Sequence, residues 1–165
     1  QLVATTKTIH QPKVEVLQKR ILEINPNCNV ITHNVFYNFE TKDTIWNHKI
    51  DYVIDCIDTI TFKIDIAKEC LNRRIPFISE MGTGNKCHPE KLEIMKLSKT
   101  EYDPIAKVMR HKLKREPNYE KIMVVASKEI PTKVDSQKLS PSSNAFVPNT
   151  AGLIAASYIF NKTIE

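Results

Sequence analysis

Glycine is the scarcest common residue here: three in a chain of 165, against roughly 7% in an average protein. No Gly-rich phosphate loop of any kind can be built from so few. Cysteine is sparse as well. Cys28, Cys56, Cys70 and Cys87 make no CxxC pair and no Cys/His cluster at zinc-finger spacing, which argues against a structural zinc site. Two of the four lie in apolar core patterns, so free thiols in a reducing cytosol fit better than a secreted disulfide framework, and a cytoplasmic protein is expected. Long hydrophobic runs are missing too: residues 152–160 form the longest apolar stretch near the end, far short of the roughly 20 residues a spanning helix needs. No signal peptide is recognisable, and no membrane partner is expected. Acidic residues are the minority charge, 19 against 24 Lys and Arg, for a net +5 and a pI near 9.0. That balance leans towards polyanionic partners such as RNA or nucleotides.

What is present is enough for one domain: 41% hydrophobic and 26% charged residues over this length can close a single core but not two ordinary ones. The organising stretch is residues 50–58, Ile-Asp-Tyr-Val-Ile-Asp-Cys-Ile-Asp. It is apolar, β-branched and too short for a typical helix, so it reads as a buried parallel strand. Its last residue, Asp58, is thereby delivered to the carboxyl end of a strand, where open α/β sheets bind ligands. Ile60, Ile64, Ala67 and Leu71 then recur at helical spacing, so Asp58 stands at a strand-to-helix corner, where a capping aspartate is the plainer reading.

Taken in order, Pro12 opens a helix whose face carries Val14, Leu17, Ile21 and Ile24 until Asn25-Pro26-Asn27 stops it. Lys13 is out of place in its first turn, opposing the macrodipole by roughly 0.3–1 kcal/mol when exposed, which fits either an anion nearby or simply a solvated surface lysine. Strands are expected at 30–34, 52–57, 76–79 and 122–126, with a further, antiparallel strand at 92–97, where no crossover helix intervenes. Helices are expected at about 13–24, 60–73, 104–115 and 149–161. Trp46 should cover a sheet edge. Gly82 and Gly84 imply either positive φ or a backbone closely approached, by a ligand or within a tight turn. Asp103-Pro104 opens a helix whose outer face carries Lys107, Arg110, Lys114 and Arg115, a basic face that is either simply solvated or a candidate RNA contact. Residues 128–144, rich in Lys, Ser and Pro, are expected to form a mobile loop. The small residues Ala151, Gly152, Ala155 and Ala156 allow close packing of the last helix on a sheet or a partner helix.

The order Thr8-Ile9-His10-Gln11-Pro12-Lys13-Val14-Glu15, then Ile24-Asn25-Pro26, then Asp55-Cys56-Ile57-Asp58-Thr59 resembles the ThiF/MoeB/HesA adenylating superfamily, relatives of ubiquitin-activating enzymes. Within it, Met81-Gly82-Thr83-Gly84-Asn85-Lys86, Ser98-Lys99-Thr100, Asp103-Pro104-Ile105-Ala106-Lys107-Val108 and Ser143-Asn144-Ala145-Phe146-Val147-Pro148 look like the tRNA threonylcarbamoyladenosine dehydratase branch. The resemblance spans nearly the whole chain. It implies an α/β, Rossmann-like three-layer fold with helices on both faces of the sheet, and ATP with Mg2+ as cofactors. Lys13 matches the family lysine that contacts the phosphates, Asp58 the aspartate that helps hold magnesium, and Gln1 the glutamine of a nucleotide-binding segment. The implied reaction adenylates the carboxylate of threonylcarbamoyladenosine in tRNA, after which ring closure expels AMP.

Departures accompany the match. The family's GxGGxGS loop, ribose-binding aspartate and Asn-x-x-Arg-Gln segment would all precede Gln1, so an N-terminally truncated portion of one adenylating domain, inactive by itself, is expected. His10 stands where the family has glycine. Cys56 sits in strand register, not in an exposed electropositive site, and is not read as a catalytic thiol. Three functions therefore compete: a portion of the tRNA dehydratase, an adenylating enzyme for a ubiquitin-like sulfur carrier, or a non-catalytic remnant that binds a partner. A homodimer and a sulfur-transfer protein are admitted as partners beside tRNA.

Overall fold

The computed structural model describes residues 3–132 and 141–164. Gln1 and the central part of the 128–144 stretch lie outside the described residues. The chain divides into two compact units, Gln1–Lys49 and Ile50–Glu165.

In the N-terminal unit, α1 (Lys13–Ile24) follows Pro12 and ends where the Asn25 N–H donates to the Ile21 carbonyl. No residue of α1 is buried, and Ile24 is 75% exposed. His10, at the position of the family glycine, takes φ 69°, a left-handed backbone that costs a side-chain-bearing residue roughly 1–2 kcal/mol. The strand expected at 30–34 does not form. Alternation alone does not make a strand, because each N–H and C=O needs a neighbouring ladder; instead the Val30 carbonyl accepts a hydrogen bond from Gln18 Nε2 at 2.8 Å. A short helix, α2 (Asp43–Trp46), buries Trp46, whose Nε1 donates to Tyr37 Oη at 2.7 Å.

The second unit is an α/β sandwich. Its strands β1 (Val53–Asp55), β2 (Phe77–Glu80), β3 (Leu92–Lys96) and β4 (Met123–Ser127) form one sheet in the order β1-β2-β4-β3. β1, β2 and β4 are parallel and β3 is antiparallel to β4, as the absence of a crossover helix before 92–97 requires. The helix α3 (Ile60–Arg73) makes the β1 to β2 crossover, and α4 (Pro104–Leu113) packs beside α3. α5 (Val147–Ile164) covers the other face, where Val147, Ala151 and Ala155 meet Ile78, Leu92 and Val125 in a buried cluster. The small residues of α5 thus serve its approach to the sheet. α4 ends two residues earlier than its apolar stripe suggests, and α5 runs longer at both ends.

One expectation for the organising strand fails. β1 is a sheet edge, hydrogen-bonded to β2 alone among the described residues, and Ile54 is 42% exposed. An apolar run records a tendency to be buried, whereas burial on both sides requires a second neighbouring strand, and this unit supplies one.

Candidate functional site

The carboxyl ends of the parallel strands open into a cavity of about 450 Å3. Asp58 leads from β1 towards α3, Glu80 ends β2, and Pro104 and Pro148 bring the first turns of α4 and α5 to the same wall. Helix amino termini thus converge on one space, a setting that favours anions. Two of them are already satisfied. Asp103 Oδ1 accepts from the Ala106 N–H at 2.8 Å, and Asn144 Oδ1 from the Val147 N–H at 3.0 Å. α3 differs: its N-cap, Thr59, makes no side-chain capping bond. Nor does Asp58 act as the cap. It is exposed, with no hydrogen bond or ion pair among the described residues. A solvated carboxylate without a protein partner, next to uncapped N–H groups, can accept a hard cation while the helix end meets an anion.

The glycine-bearing segment after β2 braces this wall. Neither Gly82 nor Gly84 has positive φ; both are closely approached, by the protein's own atoms. A Cβ on Gly82 would stand 3.2 Å from Asp103 Oδ2, and one on Gly84 would overlap Pro141 Cβ at 2.6 Å. Lys86 is the hub: its buried Nζ donates to the Gly82 carbonyl at 2.8 Å and pairs with Asp103 Oδ2 at 3.4 Å. Its carbonyl accepts from Asn144 Nδ2 at 3.0 Å, so one lysine ties the starts of α4 and α5 together. Asn85 holds both flanks of the 128–144 stretch, its carbonyl accepting from Thr132 and its Oδ1 from Ser142, each at 2.8 Å.

Behind the cavity lies a group that sequence patterning does not single out. Asp55 is buried, and its Oδ2 accepts from Lys63 Nζ at 2.7 Å and from Ser79 Oγ at 2.6 Å. Asp55 Oδ1 also accepts from the Ile57 N–H at 3.2 Å, fixing the turn that presents Asp58. Next to it, Glu80 Oε1 is buried without a hydrogen-bond partner among the described residues. Burial raises its carboxyl above the usual range, against the lowering effects of a hydrogen bond with Cys56 and of the Lys63 ammonium. Burial, then Glu80, pushes the Cys56 thiol up to about 12; although Cys56 is exposed as a residue, its sulfur stays protonated at neutral pH and is a poor nucleophile.

Of the other residues singled out, Lys13 is exposed at the first position of α1 in the N-terminal unit, while Asp58 belongs to the second. Gln1 lies outside the described residues. Lys107 is exposed on α4, and Lys114 and Arg115 follow that helix exposed. Arg110 is drawn back: its guanidinium donates to the Thr100 carbonyl at 2.7 Å and to Thr100 Oγ1. A larger cavity, about 620 Å3, opens at the opposite end of the strands. Ligands of open parallel sheets sit at the carboxyl ends, so the smaller cavity is the candidate catalytic site.

Comparison with known proteins agrees with this fold. The model of the ThiF family matches residues 1–159. The chain is 44% identical to the tRNA threonylcarbamoyladenosine dehydratase of Bacillus subtilis, covering 96% of this chain and 68% of that protein. It is 37% identical to tRNA threonylcarbamoyladenosine dehydratase 2 of Saccharomyces cerevisiae, over 78% of this chain and 29% of that one. In structure it is similar to the Escherichia coli tRNA N6-threonylcarbamoyladenosine dehydratase solved in complex with ATP, with a TM-score of 0.88, 26% identity, and coverage of 99% of this chain and 68% of that one.

Proposed function

This chain belongs to the ThiF family, and from that premise we propose that it forms part of an ATP-dependent dehydratase of N6-threonylcarbamoyladenosine in tRNA. The observation that carries the reading is Asp58: a strand-end carboxylate with no hydrogen-bond or ion-pair partner among the described residues, beside the uncapped start of α3. This donor set fits a magnesium nucleotide, with Asp58 as the oxygen ligand for Mg2+ and the first N–H groups of α3 as donors to phosphate. Bound ATP would supply the AMP leaving group that a free carboxylate lacks. The chain's own residues then orient and neutralise. Asp55, held by Lys63 and Ser79, fixes the turn bearing Asp58. Lys86 sets the starts of α4 and α5. Lys13 is assigned to the phosphates from its match to the family lysine.

The tRNA itself is assigned to the exposed cations Lys107, Lys114 and Arg115, with Arg110 holding the base of that surface against Thr100. Self-association through α5 fits the exposed Leu153, Phe160 and Ile164 along one side of the helix. A cytoplasmic location fits the four unpaired thiols. No helix among the described residues is long and apolar enough to cross a membrane.

The test is mass spectrometry of nucleosides from tRNA incubated with the whole protein and ATP. Threonylcarbamoyladenosine should lose the mass of one water, and only when ATP is present. No cyclisation, with adenylation of a sulfur-carrier protein instead, would replace this reading by the adenylyltransferase one.

A further inference from the structure

The second cavity has a chemistry of its own. It opens beside the amino-terminal end of β2, between the end of α3, the turn before β4 and the last turns of α5. Its size falls within the roughly 300–1,000 Å3 of small-molecule sites. Leu71, Pro76 and Phe77 supply an apolar floor, while Arg74, Lys121 and Lys162 contribute three cations from three separate segments. Among the described residues no carboxylate lines it. Tyr158 adds an aromatic wall, with Lys162 Nζ 6.0 Å from its ring centroid.

Helix dipoles explain part of this charge, because Arg74 and Lys162 lie at the carboxyl ends of α3 and α5, where cations are favoured. Lys121 closes a short 3-10 turn, Tyr119–Lys121, just before β4. Arg74 and Asn118, left-handed at φ 58° and 63°, also line this cavity; for Arg74 this backbone is the carboxyl-terminal cap of α3, its N–H donating to the Leu71 carbonyl and the Ile75 N–H to the Cys70 carbonyl.

We propose that this cavity is a second ligand site, for a nucleotide unit: the three cations take the phosphate, and Tyr158 with the apolar floor takes the planar base. Cationic grooves with aromatic platforms bind nucleic-acid strands by this combination. The unit comes either from a free nucleoside phosphate or from a residue of an RNA strand; in the second form the proposal rests on the tRNA reading above and places a contact far from Asp58.

Calorimetric titration of the whole protein with uridine 5′-monophosphate and with a uridine hexanucleotide at low salt separates the sources. Arg74→Glu/Lys121→Glu should weaken hexanucleotide binding at least tenfold and reduce its salt slope by about 1.4, whereas Asp58→Asn should leave it unchanged. Arg74→Gln/Lys121→Gln repeats the test with less perturbation should charge reversal disturb folding. Binding of the monophosphate, lost in the same variants, assigns a free nucleotide. Binding of the hexanucleotide alone assigns RNA. Wild-type affinity for both probes in both variants, or no binding of either probe by the unmutated protein, overturns the proposal. These readouts involve no cyclisation, so a protein that cyclises tRNA but binds the probes unchanged defeats this inference only, and one that binds but does not cyclise defeats only the dehydratase reading.

Discussion

At the scale of single residues, the cavity wall sets two carboxylates in opposite environments. Asp58 is exposed and without a partner, while Glu80 is partly buried with one oxygen unsatisfied. Because the folded value of Glu80 lies above its ordinary 4.5, its contribution to stability is fully present below that pH. It is lost as pH rises through the folded value, since the unfolded chain then releases the proton more readily. Glu80→Gln cannot ionise, so its thermal midpoint should match wild type near pH 4.5 and exceed it at pH 7.5. Calorimetric scans across that interval check this; parallel curves would show that Glu80 does not carry the strain. Asp58 was legible in the sequence because it ends an apolar run. Lys63 was not: a lysine in a helix is ordinarily solvated, and nothing local marks the one that turns inward. The available signal was its future partner, Asp55, a charge in the middle of that apolar run.

At the scale of elements, four of the five helices were legible from apolar or small-residue spacing, the short α2 being missed, and so was the antiparallel β3, because chain length between strands limits direction. The strand expected at 30–34 and the burial of β1 were misread for one reason: neither period-two alternation nor an apolar run says whether a strand's edges have neighbours. The sequence allows the glycines of Met81–Lys86 either positive φ or a close approach, by a ligand or within a tight turn; Asp103 and Pro141 lie beside them, and the segment braces the cavity wall. That role has an energetic consequence. Both members of the Lys86–Asp103 pair are buried, so Lys86→Met should destabilise the fold by roughly 3–5 kcal/mol by leaving Asp103 uncompensated. Lys86→Met/Asp103→Asn should recover part of that loss in urea unfolding. A change below 1 kcal/mol for the single variant would mean that the brace is solvated and the two helix starts are held otherwise.

At the scale of the whole molecule, the parallel strands divide the second unit into two ends. The carboxyl end carries Asp58, three converging helix starts and the braced loop; the amino end carries the cationic cavity. Catalysis belongs to the first end in this account, so removing one charge there should leave the fold almost untouched. Asp58 makes no hydrogen bond or ion pair among the described residues, so its loss should be little felt in stability, but as a preorganised charge at the reacting phosphate it should contribute about 100- to 1,000-fold in rate. The most direct measurement is therefore ATP-dependent cyclisation of threonylcarbamoyladenosine in tRNA by the whole protein carrying Asp58→Asn, followed by nucleoside mass spectrometry alongside a thermal melt. The account predicts a loss of about 100-fold or more at an unchanged melting temperature; cyclisation at the wild-type rate would contradict it.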